Sequence, residues 1–308
     1  MPRILVFAPA PLLSIAIESH GDEPDVHIHV GGQGVWQARM LRALGADVAL
    51  VSSFAGEPGR VAERLLGDEG IAVADLDRVG GVNPVRITDR RSGRRTSIVE
   101  TDGTPLDRHD LDALYSMVLR EAADADLVIL SGPVDDATLP ADVYRRLASD
   151  LGALDRRVLV DLAGDRLAAA IEGGATVVKV SHEELVADGL VDDGDDEAQL
   201  AAAMQALRER GVEIVAVSRA DVGSLVLHEG GLLRVTAPRL QVVDHTGAGD
   251  SYAAGLAYAL ADGRDVEEAI RLGAAAGAIN VTHHGLGTGD AAAIRAVAQH
   301  VEVERVER

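Results

Sequence analysis

The chain has 308 residues, with 29 Lys+Arg against 50 Asp+Glu, a formal net charge of −21, and no cysteine. One basic residue is a lysine, Lys179; the other 28 are arginines. These counts exclude disulfides and thiolate chemistry, a Gly-Lys-[Ser/Thr] phosphate loop, and the clustered cations that hold nucleic-acid backbones or anionic membranes.

Both phenylalanines, Phe7 and Phe54, precede alanine, so the Asp-Phe-Gly of protein kinases is absent. Hydrophobic content of 47% with 26% charged residues is that of a globular enzyme. No apolar run reaches the roughly 18 residues of a membrane span, and no leader pattern precedes the first strand. The expectation is a cytoplasmic protein with neither a membrane nor a nucleic-acid partner.

In chain order, residues 3–8 predict a buried strand, being short and rich in Val, Ile and Leu. Residues 14–30 break that pattern. Apolar and polar positions alternate on either side of an acidic turn, which predicts antiparallel strands with one wet face. Gly31-Gly32-Gln33-Gly34-Val35-Trp36 follows and opens a helix over 35–44. Its glycines are either a plain strand-to-helix turn or a place where backbone N–H groups approach a ligand. Position 37 is Gln, not the third glycine of a dinucleotide fingerprint, which weakens a Rossmann reading. Trp36, the sole tryptophan, is a core plug or a pocket wall.

A strand at 47–52 and a helix at 60–69 come next. Residues 85–101 form a second alternating stretch, turning at Arg91-Ser92-Gly93. The two alternating stretches predict a small sheet inserted into a larger α/β core. Helices at 107–123, 141–151, 165–172 and 197–210 then alternate with buried strands at 126–131, 157–162, 176–180 and 213–218. This rhythm predicts a mainly parallel sheet between helices. A hairpin over 223–235 turns at Glu229-Gly230-Gly231.

Lys179 falls at the C-terminal end of a predicted strand, where open α/β sheets place ligands. Glu184 follows at a helix start. An ammonium with a carboxylate nearby for Mg²⁺ suits phosphoryl transfer. The alternatives are a solvated strand-end charge or a Schiff-base lysine. That a single lysine survives among arginines favours a position needing an ammonium.

The most specific segment is Asp244-His245-Thr246-Gly247-Ala248-Gly249-Asp250-Ser251, ahead of a small-residue helix at 251–260. Gly247 and Gly249 let successive N–H groups converge, and the helix N-terminus adds its positive end. The result is an anion hole suited to a transferred phosphoryl group. Asp250, in the first turn, is placed to take a proton from an attacking hydroxyl. For an isolated Gly-x-Gly-Asp, a tight turn with a helix-start acid is the simpler explanation; the whole string favours a site. His182, His245, His283 and His284 match no zinc spacing.

Gly31-Gly32-x-Gly34, Lys179 with Glu184, and residues 244–250, in that order, resemble the PfkB/ribokinase family of ATP-dependent carbohydrate kinases. The nearest branch is that of 1-phosphofructokinase and tagatose-6-phosphate kinase. The likeness runs from residue 3 to about residue 289. It implies one ribokinase-like α/β domain over 1–308, with a lid from about 12–32 and 82–102 that closes over the sugar and often pairs two copies into a homodimer. It also implies ATP and Mg²⁺ as cofactors and a sugar or sugar phosphate as acceptor. Asp250 then corresponds to the catalytic base, and Gly247, Ala248 and Gly249 to the anion hole. Glu184 corresponds to the carboxylate that organises Mg²⁺ through water, and Lys179 to a contact near the transferred phosphate. Ser218 and Arg219 fall near the nucleotide phosphates, and Asn280 near the adenine. Gly31, Gly32, Gln33, Trp36, Ser131 and Gly132 line the sugar site. Apart from the resemblance, Arg94, with Arg86 and Arg95 in the lid, is a candidate to meet an acceptor that is anionic.

The acceptor side departs from that pattern. The family's hydroxyl-binding Asp is Leu12 here, Gln33 stands for Lys, and Trp36 stands for Asn. The Thr-Arg that enters the second lid segment is Gly81-Val82, and the Asn of Asn-x-x-Glu is Ser181. Losing hydroxyl-binding groups changes substrate identity more than chemistry. The expectation is an active kinase with an altered acceptor pocket. The alternative is a catalytically weak or inactive ligand-binding or regulatory protein of the same fold.

Overall fold

The structure, a computed structural model, describes residues 1–21, 23–92, 95–135, 137–283 and 285–306. Arg94 and His284 lie outside the described residues. In chain order, β1 (Arg3–Phe7) leads into a hairpin of β2 (Leu12–His20) and β3 (Glu23–Gly31), then α1 (Gln33–Leu44), β4 (Asp47–Ala55), α2 (Gly56–Asp68) and β5 (Ala72–Arg78). A second hairpin, β6 (Val85–Asp89) and β7 (Thr96–Thr101), precedes α3 (Arg108–Ala122), β8 (Leu127–Ser131), α4 (Ala141–Ala153), β9 (Arg157–Asp161) and α5 (Gly164–Glu172). Then come β10 (Val177–Ser181), α6 (His182–Ala187), α7 (Glu197–Glu209), β11 (Ile214–Ser218), β12 (Ser224–His228) and β13 (Gly231–Thr236). Last are α8 (Ala248–Ala261), α9 (Val266–Asn280), α10 (Ala291–Ala298) and β14 (Glu302–Arg305).

The main sheet runs β14-β13-β12-β11-β10-β9-β8-β1-β4-β5. It is parallel from β11 to β5, and β12, β13 and β14 extend it antiparallel. Its central strands are buried on both faces, which is why they read as unbroken apolar runs. Ile4, Val6, Leu127 and Ile129 belong to one core with α1, α8 and α9. Leu5, Phe7, Val128 and Leu130 belong to the other, with α3, α4 and α7. The predicted α/β alternation is therefore present. β5 escaped the sequence reading because acidic residues interrupt its apolar positions, as suits an edge strand. β4 runs straight into α2, four residues before the predicted helix start; Pro58 sits in the first turn, where its missing N–H costs nothing.

The small sheet has the order β3-β2-β6-β7. Its two hairpins are antiparallel as predicted, and β2 pairs with β6 in parallel to join them. The face expected to be wet is the inner one. Ala16 and Thr88 are each 2% exposed, while Val26 and Ile28 on the opposite face are 57% and 51% exposed. The polar face turns inward because what it covers is polar, as the candidate site below shows.

α8 begins at Ala248, earlier than predicted, so Asp250 lies within its first turn. It packs on α9 through glycines: a Cβ on Gly255 would lie 2.9 Å from the Gly273 Cα, and one on Gly277 3.0 Å from the Ala248 carbonyl. This close approach fixes the start of α8 against the C-terminal edge of the sheet.

Candidate active site

β8, β9 and β10 end side by side, with Ser131 opposite Asp161 and Asp161 opposite Lys179 in the parallel register. Strand alternation sends Val178 and Val180 into the core beneath α4 and α5, so Lys179 faces the other way, towards α8. Lys179 Nζ lies 3.2 Å from Asp161 Oδ1. Both side chains are buried, at 6% and 1% exposure. The sequence reading named Lys179 and missed Asp161. The available signal was an acid closing an otherwise apolar strand next to the lysine's strand.

Gly247 adopts φ +78° as the N-cap of α8, in the left-handed region that glycine enters freely. A Cβ on Gly249 would sit 2.6 Å from Lys179 Nζ. Glycine is therefore what lets the helix start and the ammonium meet. The first N–H groups of a helix have no intrahelical acceptors; that of Ala248 donates at 3.4 Å to the His245 carbonyl just before the helix, and Gly249 lies beside the Lys179 cation.

Lys179 is paired with Asp161 and also feels the charges of Asp250 and Glu184. Burial alone would lower the Lys179 pKa, but the charges of Asp161, Asp250 and Glu184 hold it above the usual lysine value. This is the opposite of what a Schiff-base lysine needs. Loss of hydration pushes Asp161 up, opposed by Lys179. Asp250 is pushed up to about 8 by loss of hydration and by the Asp161 charge, against the pull of Lys179, with Glu184 adding to the rise.

A hydrogen-bonded chain continues from Asp161. Gln37 Nε2 donates to Asp161 Oδ2 at 2.9 Å, and Ser131 Oγ donates to Gln37 Oε1. Tyr144 Oη donates to the Ser131 carbonyl at 2.9 Å. Gln33 Oε1 accepts from the Gly132 N–H at 2.8 Å, tying the start of α1 to the end of β8. Ser181 caps α6: its N–H and Oγ donate to Glu184 Oε2 at 2.7 and 2.8 Å. The serine in place of the family's Asn thus orients the glutamate. No group of three or more acidic, His or Cys side chains able to hold a metal occurs among the described residues. A Mg²⁺ ion held by nucleotide phosphates and water, with Glu184 behind it, fits this donor set better than an all-protein cage.

Beside this centre lies a cavity of about 660 Å³. Leu12, Gln33 and Trp36 form one side, with Arg86 from the small sheet, Arg166 from α5 and Glu184 from α6 around the rest. Trp36 is therefore a wall, not a core plug, and its buried indole N–H finds no partner among the described residues. Gly31 and Gly32 bring the chain to this wall, with Gly31 packed against the Trp36 ring.

The other predicted residues each have protein partners. Arg219 donates to Glu197 at 2.6 Å, and Arg234 binds the other oxygen of the same carboxylate. Ser218 ends β11 beside Ser181, and its carbonyl contacts His182 Nδ1 at 3.1 Å. Asn280 donates to the Thr246 carbonyl at 2.8 Å and accepts from the Gly287 N–H at 2.9 Å, bracing the loop that precedes α8. From the small sheet, Arg90 lies 3.3 Å from Asp244 Oδ2, while Asp244 Oδ1 accepts from the Thr246 N–H at 2.9 Å.

This geometry agrees with comparisons to known proteins. The sequence profile of the pfkB family carbohydrate kinases matches residues 9–293. The chain is 27% identical over 279 residues to the 1-phosphofructokinase of Vibrio cholerae serotype O1, covering 90% of this chain and 86% of that protein. Among solved structures, phosphofructokinase-2 from Escherichia coli in complex with potassium superposes with a TM-score of 0.86 at 24% identity, over 97% of this chain and 99% of that one. Arabidopsis thaliana ribokinase complexed with ribose and ATP gives 0.74 at 20%, over 97% and 98%. The fold is ribokinase-like, and the small sheet matches the predicted architecture. The chain belongs to the pfkB family of carbohydrate kinases and is a phosphotransferase.

Proposed function

We propose that the protein transfers the γ-phosphoryl group of ATP to a hydroxyl of a sugar or sugar phosphate, with Asp250 as general base. The observation that carries this reading is the meeting of Asp250, Lys179 and the glycine-built start of α8 at one edge of the sheet, beside the cavity. Asp250 takes the proton of the acceptor hydroxyl as it attacks phosphorus. The N–H groups of Gly247, Ala248 and Gly249 and the Lys179 ammonium offset the charge spreading over the transferred group. Mg²⁺, when bound with the nucleotide, neutralises phosphate charge, with Glu184 directing its water shell. Ser218, Arg219 and Asn280 frame the nucleotide side, the last two by bracing neighbouring elements.

The small sheet acts as the lid, its polar inner face over the site and Arg86 turned to the cavity. Its exposed outer valines and isoleucine suit pairing of two lids into a homodimer. Among the described residues, no helix is long and apolar enough to cross a membrane.

The test is Asp250→Asn. With MgATP, fructose 1-phosphate and a panel of other sugars and sugar phosphates, the wild type should turn over and the variant should lose orders of magnitude while still binding ATP. Undiminished turnover in the variant would remove Asp250 from its role. Silence of the wild type across the panel, with tight ligand binding, would favour the regulatory alternative that Leu12 and Trp36 raise.

A further inference from the structure

Gln37 lies in the buried stripe of α1, among Val35, Ala38 and Leu41. It is fully buried. An apolar residue would fill this place with no polar atoms to satisfy, and a buried amide is tolerated only when its hydrogen bonds are made. Here both ends are engaged, and by site residues. The amide N–H holds Asp161 Oδ2 at 2.9 Å, and the amide oxygen receives Ser131 Oγ. Those partners end neighbouring strands and face each other in register. Lys179 occupies the other oxygen of Asp161 at 3.2 Å. With a donor on each oxygen, the carboxylate cannot rotate freely, and neither can the ammonium it holds beside Gly249.

We propose that Gln37 is a positioning residue for phosphoryl transfer, locking Asp161 so that Lys179 is aimed at the start of α8 and tying that pair, through the buried Ser131, to the end of β8, where Gly132 lines the acceptor cavity. The inference rests on the reading of Asp250 and Lys179 as the transfer centre. Gln37 touches neither substrate directly. Its removal misplaces charge in the transition state and leaves ground-state binding largely intact.

The experiment is a cycle between Gln37→Met, which keeps the volume and loses the hydrogen bonds, and Asp161→Asn. Turnover is measured with MgATP and fructose 1-phosphate, and as ATP hydrolysis without acceptor. In Gln37→Met, kcat should fall roughly 10- to 100-fold, the scale of a displacement of about 1 Å. Both KM values should stay within about 3-fold, as expected for an interaction made in the transition state. In the Asp161→Asn background, adding Gln37→Met should cost nothing further. Wild-type kcat in Gln37→Met, or a double variant slower by the full product of the single effects, would overturn the role. Should Gln37→Met not fold, Ser131→Ala runs the same cycle. Its loss must also vanish beside Asp161→Asn, whereas a serine acting by touching the acceptor gives an additive loss and refutes the relay. Full turnover in Asp250→Asn marks failure of the underlying site; an inert Asp250→Asn with an unimpaired Gln37→Met marks failure of this inference alone.

Discussion

Lys179 and Asp161 face each other across adjacent parallel strands, Nζ to Oδ1 at 3.2 Å, buried at 6% and 1% exposure. Burying two charges is unfavourable unless they pair, and breaking such a pair from one side leaves the other charge stranded. Lys179→Met should therefore cost about 3–5 kcal/mol of stability. Adding Asp161→Asn should recover much of that. Lys179→Arg keeps the charge, but the close approach of Gly249 leaves no space for a guanidinium. Overpacking of this kind costs about 1–3 kcal/mol, and turnover should fall sharply. Urea unfolding of the three variants checks the ranking. Equal destabilisation of Lys179→Met with and without Asp161→Asn would show that the pair is not the source.

The raised pKa of Asp250 makes a second prediction, with a definite sign. The carboxyl is pushed from 3.8 up to about 8 in the folded protein. Between those limits the folded state holds a proton that the unfolded state has released, so this group lowers stability as pH rises through the window. Asp250→Asn cannot ionise. Its melting temperature should match the wild type near pH 4, exceed it increasingly towards pH 8, and keep a constant advantage above that. Thermal scans across this range read the difference directly, and a pH-independent offset would contradict the linkage. For Asp250 in its proposed role as base, a carboxyl held protonated in this way means that kcat/KM should climb with pH up to about 8. A residue that weakens the fold while serving the reaction is a known compromise.

The parallel sheet, its covering helices and the two hairpins were legible because their signals are local: apolar runs, helical spacing and alternation around turns. Lys179, Glu184 and residues 247–250 were singled out as candidates by motif chemistry. Asp161 and Gln37 were not, because their roles exist only across register: Asp161 meets Lys179 through strand pairing, and Gln37 meets Asp161 across 124 positions of sequence. The inward turn of the polar face of the small sheet was hidden for a related reason. Alternation gives two faces, and which one is buried depends on what lies beneath. The strand-end position of Arg219 was legible, but its ion pair with Glu197, at the start of α7, was not.

The small sheet and the anion-hole loop are tied by Arg90 and Asp244, 154 positions apart in sequence and 3.3 Å apart in space. Asp244 also orders that loop through the Thr246 N–H. Glu18 of the same small sheet lies 3.7 Å from the Arg90 guanidinium, so the arginine is shared between its own sheet and the core. Exposed pairs contribute little, but each partner here is only about one-fifth exposed, and each belongs to a different body of the site. With the small sheet as the proposed lid, its docking should therefore help to set the loop proposed to hold the transferred phosphate. Arg90→Ala and Asp244→Ala should each lower kcat by about 3- to 30-fold, as expected for roughly 1–2 kcal/mol of coupling between contacting groups. The double variant should be no worse than the poorer single one. Exchanging the charges, with Arg90→Asp and Asp244→Arg together, should restore part of the loss, although the bond to Thr246 is not rebuilt. Hydrogen exchange gives an independent reading: amides of β6 and of residues 244–247 should lose protection together in either single variant. Additive kinetic losses, or exchange that rises on one side only, would mean that lid and loop move independently.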